Sequence, residues 1–305
     1  MYVVKAGLRL SKLHNIVPHQ SRQSSTNDGR ADIMSKSEGQ ISQDEIQSVK
    51  DSRHRHMWYK SWILLPILAT TVWFAGLTSL LGLWISQGRP RYDENVADVA
   101  FISDIGGANE ALFLAICIFT DILYFSSVCA IRCLRHKRDL PEHIGKWENI
   151  LGWLAVVFCF IGCAGLFTLA KWNAYDYTTV HWDGTLIFII GTGSSAFCQT
   201  AEVWLLRKGH KHRKHLPRNA WFKLFIVSAD IILAAAFGAT YLYCGGRATA
   251  YNDHTADQCN STSSKAAVLE WTIAYGLNLY FLTFVIDLWP AGKIKQPPEK
   301  EEESV

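Results

Sequence analysis

Five side chains in this 305-residue sequence have the types and placement to act on a substrate together: Asp104, Glu110, His181, Asp183 and Glu270. One imidazole and several carboxylates are what a zinc hydrolase uses, where the metal acidifies a bound water, and such a site at a membrane face would suit a lipid substrate. The pattern is incomplete for that chemistry. The sequence holds no His-Glu-x-x-His pair, no Gly-x-Ser-x-Gly elbow and no paired cysteine ligands, so no metal and no cofactor is expected. A single interfacial histidine more often caps a helix or joins an ion pair, and a partly buried carboxylate needs donors or a counter-charge. The expectation is therefore structural. Asp104 and Glu110, with Ser103 beside them, join His181 and Glu270 in one polar network at the level of Asp183. A lipid or ligand pocket and catalysis stay open as the other two readings.

These residues fall at the ends of long apolar runs, and the runs must position them. A helix rising 1.5 Å per residue needs about 20 residues to cross a hydrocarbon core of about 30 Å. Six stretches meet that length, near residues 61–86, 109–131, 150–170, 183–206, 220–243 and 266–288. Interfacial aromatics bound them, among them Trp62, Trp84, Trp147, Trp172, Trp182, Trp221 and Trp289. The mean hydropathy of +0.07 conceals this pattern, because charge is concentrated in the tails and connections. The runs lack the two-residue alternation of a membrane barrel, which leaves an all-α polytopic fold of six transmembrane helices over residues 58–290.

Basic residues orient the bundle. The connections after the second and fourth spans carry Arg132, Arg135, Lys137, Arg138 and Lys146, then Arg207, Lys208, Lys211, Arg213, Lys214 and Arg218. The other three connections hold only Arg89, Arg91, Lys171, Arg247 and Lys265. Both termini are thus expected in the cytosol. Two features of the last exoplasmic connection agree: Asn260-Ser261-Thr262 is a glycosylation acceptor, and Cys244 and Cys259 are placed for a disulfide in a compartment where one persists. Residues 1–57 and 291–305 are polar and without a sustained apolar period, and both read as disordered cytoplasmic tails. Residues 1–27 hold four basic residues and no acid, a composition shared with organelle transit peptides.

Inside the spans, Asp121 and Asp230 lie near mid-membrane, and Glu202 and Asp287 near cytoplasmic ends. Such acids usually face a bundle interior or a wet cavity. The run Gly191, Gly193, Ser194, Ser195, Ala196 lies mid-span without a following lysine, so it reads as close helix packing rather than a phosphate loop. The stretch from Arg207 to Arg218, with Lys208, Lys211, Arg213 and Lys214 between, is a topology signal that could also hold anionic lipid, at about 1 kcal/mol per basic residue. Nucleic acid is not an expected partner of so membrane-bound a segment.

Three motifs carry a resemblance to a known family. FISDIG at 101–106 is followed by Glu110; VHWDGTLIFIIG at 180–191 is followed by Gln199 and Thr200; EWTIAYGLNLYFLTFVID occupies 270–287. In this order and placement they resemble the DRAM family, the damage-regulated autophagy modulators, and the related fungal suppressor-of-four-kinase membrane proteins, over roughly residues 60–290. The matching positions are His181, Gly184, Phe188, Gly191 and Gln199 in the fourth span. In the sixth they are Glu270, Trp271, Phe281, Leu282, Thr283 and Asp287. Asn109 and Ala100 depart from the family, which often has proline at both places. The resemblance implies a six-helix membrane protein that regulates lipid homeostasis or autophagy-linked membranes rather than catalysing. It also implies membrane lipids, phosphoinositides and a phosphoinositide 4-kinase complex as partners. The plasma membrane is the expected location, with the endolysosomal or vacuolar membrane second. A more distant branch that remodels the lipid of GPI-anchored proteins keeps a lipid-modifying enzyme or transporter as the alternative.

Overall fold

The computed structural model describes residues 62–137, 140, 145–209 and 215–289. The tails expected at 1–57 and 291–305, the basic residues Lys211, Arg213 and Lys214 and the side chain of Lys208 lie outside the described residues. Among the described residues seven helices run in order: α1 (Trp62–Ser86), α2 (Ile102–Ala108), α3 (Glu110–His136), α4 (Lys146–Lys171), α5 (Thr178–Gly209), α6 (His215–Cys244) and α7 (Ala256–Leu288). All but the short α2 are apolar and long enough to cross a membrane, at 25 to 33 residues. No strand occurs among the described residues; Tyr251 and His254 form an isolated bridge. The protein is an all-α integral membrane protein with six spanning helices.

The helices overrun the bilayer. At 1.5 Å per residue, 25 to 33 residues reach about 38–50 Å, so polar ends project beyond the apolar core and carry caps. α7 begins ten residues before the apolar run that announced it, because Thr255 and Gln258 form a reciprocal capping box: the Gln258 N–H donates to the Thr255 hydroxyl (3.3 Å) and the Thr255 N–H to the Gln258 side chain (3.0 Å). α6 ends at Gly245 and Gly246, both at positive φ, which lets the Gly246 N–H reach back to the Tyr241 carbonyl at 3.0 Å. Next to that turn, Cys244 is bonded to Cys259, clamping the end of α6 to the first turn of α7. Closing a loop of this length stabilises by about 3 kcal/mol in the chain-entropy model.

Between α4 and α5 the backbones themselves are in contact. A Cβ at Gly191 would lie 2.5 Å from the Gly162 nitrogen, and one at Gly184 would lie 2.9 Å from the Leu169 nitrogen. Lipid gives helices no hydrophobic reason to associate, so approach of this kind must come from small residues. Gly193, expected to pack in the same way, does not: nothing lies within 4 Å of a Cβ built there, because its side of α5 faces a cavity. Elsewhere the core is aromatic. Tyr124 of α3 packs on Phe281 and Phe284 of α7, with ring centroids 4.8 and 5.9 Å apart. The Trp73 indole of α1 donates to the Ala274 carbonyl of α7 at 2.8 Å.

Candidate functional site

The chain entering α2 is held by α7. Trp271 donates its indole N–H to the Ala100 carbonyl at 3.1 Å, and the neighbouring Glu270 carboxyl accepts the Ile102 N–H at 2.7 Å and the Ser103 N–H. Asp104 closes the same turn from within, accepting the Phe101 N–H at 3.1 Å. Three backbone donors that a helix start leaves unpaired are thereby satisfied by two carboxyls. The two glycines that follow permit close approach. A Cβ at Gly106 would sit 2.6 Å from the Phe113 ring, and one at Gly107 would sit 2.8 Å from the ring of Tyr175. The Tyr175 hydroxyl donates to the Asp104 carbonyl at 3.0 Å. FISDIGG is thus a helix start built to be capped from α7 and covered by aromatic rings.

His181 works elsewhere. Its Nδ1 lies 2.8 Å from the Leu169 carbonyl and 3.0 Å from the Trp172 carbonyl, so it carries the proton and donates to the end of α4. Glu110 accepts from the Asn173 amide in the α4–α5 connection, and Asp183 is exposed. The single network expected from membrane depth is therefore three separate ties: Glu270 and Asp104 on α2, His181 on α4, and Glu110 on Asn173. Shared depth places residues at one level but does not set the direction each faces around the bundle. Asn260 sits in the second turn of α7, where its side chain accepts the Asp98 N–H at 3.0 Å and donates to the Asp98 carboxyl at 2.7 Å. Arg91 and Asn260 together hold that exposed carboxyl below the usual range.

Burial pushes the Asp104 carboxyl up to about 6, against the Phe101 N–H, which favours its charged form, and with help from the charge of Asp93. The sign follows from linkage. Between the unfolded value, about 4, and about 6, the folded protein holds a proton that the unfolded chain has released. The Asp104 contribution to stability therefore falls as pH rises through that window, by up to about 1.4 kcal/mol per pH unit, and is constant above it. Asp104→Asn keeps an oxygen for the Phe101 N–H and should flatten this slope, matching or exceeding the parent protein above pH 6. Asp104→Leu should lose about 1–3 kcal/mol at every pH. Thermal unfolding in mild detergent from pH 4 to 7.5 separates these cases, and an unchanged slope in the Asn variant would remove Asp104 as its source.

At the opposite end of the bundle lie charges with partners. Arg135 of α3 pairs with Glu202 of α5 at 2.6 Å, both almost wholly buried. Lys223 of α6, 1% exposed, pairs with Asp287 of α7, which also accepts from the Asn219 amide. The Lys223 ammonium also lies 4.8 Å from the centre of the Phe284 ring. The acids Glu202 and Asp287 are visible in the sequence as intramembrane charges, whereas Lys223 lies inside the apolar run at 220–243. Of the mid-membrane acids, Asp121 is half-buried beside Cys163, whose thiol approaches the Asp121 carbonyl at 3.9 Å. Asp230 is half-buried with its carboxyl against the backbone at Gly276. Arg207 stacks on Trp204, 4.0 Å from the ring centre, and Arg218 is exposed.

A cavity of about 160 Å³ lies between these two polar levels. Ser103, His181 and Glu270 stand at its end nearest the disulfide, its walls are largely apolar, and Asp230 lines α6 part of the way along. Ile231 lines it and is exposed, so the cavity opens on the lipid-facing side of α6. Among the described residues no group of three or more His, Cys, Asp or Glu side chains is placed to hold a metal.

The family described as the Frag1/DRAM/Sfk1/Cwh43P N-terminal domain matches residues 61–291. The chain is also similar to protein sfk1 of the fission yeast Schizosaccharomyces pombe, with 27% identity over 249 residues, covering 81% of this chain and 70% of that protein. No solved structure matches.

Proposed function

The chain belongs to the Frag1/DRAM/Sfk1/Cwh43P family of membrane proteins, and from that premise we propose that it is a non-catalytic regulator of lipid homeostasis. It acts at the plasma membrane by recruiting a phosphoinositide 4-kinase complex or by biasing phospholipid distribution. One observation supports this over the lipid-remodelling enzyme: three of the five side chains that could have formed an active site spend hydrogen bonds on the backbone of helix ends. Glu270 and Asp104 cap α2, and His181 caps α4. In this reading both termini and the Arg207–Arg218 stretch lie in the cytosol, the disulfide-bearing end is exoplasmic, and the basic stretch meets anionic lipid or the partner kinase.

Three variants separate the classes. Arg213→Ala with Lys214→Ala should leave folded yield unchanged and lower plasma-membrane phosphatidylinositol 4-phosphate, read with a fluorescent lipid-binding reporter. His181→Ala should reduce folded yield and membrane arrival in parallel with any phenotype. The opposite pattern is an Asp104→Asn protein that folds, reaches its membrane and has the phenotype of a deletion. That result would give the cluster to catalysis.

A further inference from the structure

We propose that the cavity beside α6 is a binding site for one chain of a membrane lipid that carries an uncharged hydroxyl at its head, held at the end formed by Ser103, His181 and Glu270. This goes beyond the regulatory reading and shares with it only the assignment of that end to the exoplasmic leaflet.

The walls of the cavity extend over the depth of one leaflet, and its enclosed volume of about 160 Å³ takes part of one chain, the rest lying against the open side by Ile231. From Glu270 to Tyr280 along α7, and from Phe237 to Val227 along α6, its lining runs ten residues on each helix, or about 15 Å at 1.5 Å per residue. A hydrocarbon core is about 30 Å thick, so the site begins at one interface and stops near the midplane. An acyl chain entering from the membrane would pass the exposed Ile231 and lie along α5, where Gly193 projects nothing into the space.

The chemistry of the head follows from which atoms are already used. His181 spends Nδ1 on the Leu169 and Trp172 carbonyls, so in the neutral ring Nε2 is a lone-pair acceptor. His181 is 8% exposed and lines the cavity. The Glu270 carboxyl already accepts the Ile102 and Ser103 N–H groups and has further lone pairs. His181 Nε2 therefore presents an acceptor at this end of the cavity, with the Ser103 hydroxyl able to take either role. A ligand head must bring a donor, because a buried acceptor left unpaired costs affinity. A hydroxyl supplies one. A fatty-acid carboxylate offers only acceptors, and a choline or phosphate ester has no donor to give.

Gly193 makes the test clean. A Cβ there meets nothing within 4 Å and the position lines the cavity, so Gly193→Leu should project into the cavity, and leucine suits a helix better than glycine. The protein in phosphatidylcholine nanodiscs is irradiated with a monoacylglycerol bearing a diazirine and an alkyne on its chain. The matching fatty acid serves as the charged control, and labelled peptides are mapped. Labelling is expected on α5 near Thr185–Ala196 and on α6 near Val227–Phe237. It should fall at least fivefold in Gly193→Leu at an unchanged melting temperature, and severalfold in Ser103→Ala. The fatty acid should label severalfold more weakly. Should Gly193→Leu melt lower, Ala234→Leu fills the same space from α6 and must give the same loss. Equal labelling of parent and filled variants, or a fatty acid that labels as strongly as the monoacylglycerol, overturns the proposal. None of these readouts depends on phosphoinositide levels or kinase recruitment, so failure here leaves the regulatory reading to its own test.

Discussion

Gly165→Leu should yield no folded protein. A Cβ at Gly165 would press on the Phe188 nitrogen and lie 2.8 Å from the Gly184 carbonyl oxygen; both are backbone atoms of α5 and cannot rotate away as a side-chain tip can. Even Gly165→Ala must push the helices apart, at about 1–3 kcal/mol. That push also opens the facing contacts of Gly162 with Thr192 and of Gly191 with Gly162. In lipid the loss is not offset by hydrophobic pressure, because chain and solvent are equally apolar. The control lies on the partner helix: Gly193→Ala faces open space and should be neutral or stabilising by up to about 1 kcal/mol. Size-exclusion profiles and thermal unfolding in mild detergent measure both. A Gly165→Leu protein that is monodisperse with the parent melting temperature would mean that α4 and α5 do not meet through these glycines.

The contrast between Gly191 and Gly193 shows what the sequence could and could not convey. Both belong to one small-residue run, and the run correctly marks a close contact. Two positions along a helix are about 200° apart, however, so only one of them can face α4. Composition finds the stripe; choosing its face requires the partner, and the partner glycines, Gly162 and Gly165, lie in a span where nothing else singled them out. The six spans themselves were legible because the bilayer imposes a length and an apolarity that any sequence must show. Their ends were not. α7 extends well before residue 266 because a helix outside lipid needs only a cap, and the Thr255–Gln258 box that supplies one can be seen in the sequence as Thr-x-x-Gln. The polar residues of the candidate site were likewise identified by depth, which placed Asp104, Glu110, His181 and Glu270 at one level. Depth carries no direction, and three of the four turned out to serve helix ends through backbone groups, which no side-chain pairing rule would propose.

Removing one charge from the buried pairs at the other end should be the most damaging single polar change. Asp287→Ala strands the Lys223 ammonium, 1% exposed, and takes an acceptor from Asn219. Breaking a buried pair from one side costs about 3–5 kcal/mol, because the remaining charge keeps its desolvation cost and loses its compensation. The double variant Lys223→Met with Asp287→Leu removes the problem along with the pair and should return to within about 1–2 kcal/mol of the parent. The cycle is therefore strongly non-additive, and the same holds for Arg135 and Glu202. Lys223 also lies within electrostatic reach of Arg135 and Glu202, so the two pairs should couple to each other and not only within themselves. Two pairs of opposite charge from α3, α5, α6 and α7 then lie within electrostatic reach of one another, and each helix can settle at only one depth without separating a pair. In a medium where apolar surfaces slide past one another at little cost, such a set fixes the register that packing alone leaves soft. Additive losses across the four single variants and their doubles, measured by thermal unfolding, would mean that the pairs act independently and that the register is set elsewhere.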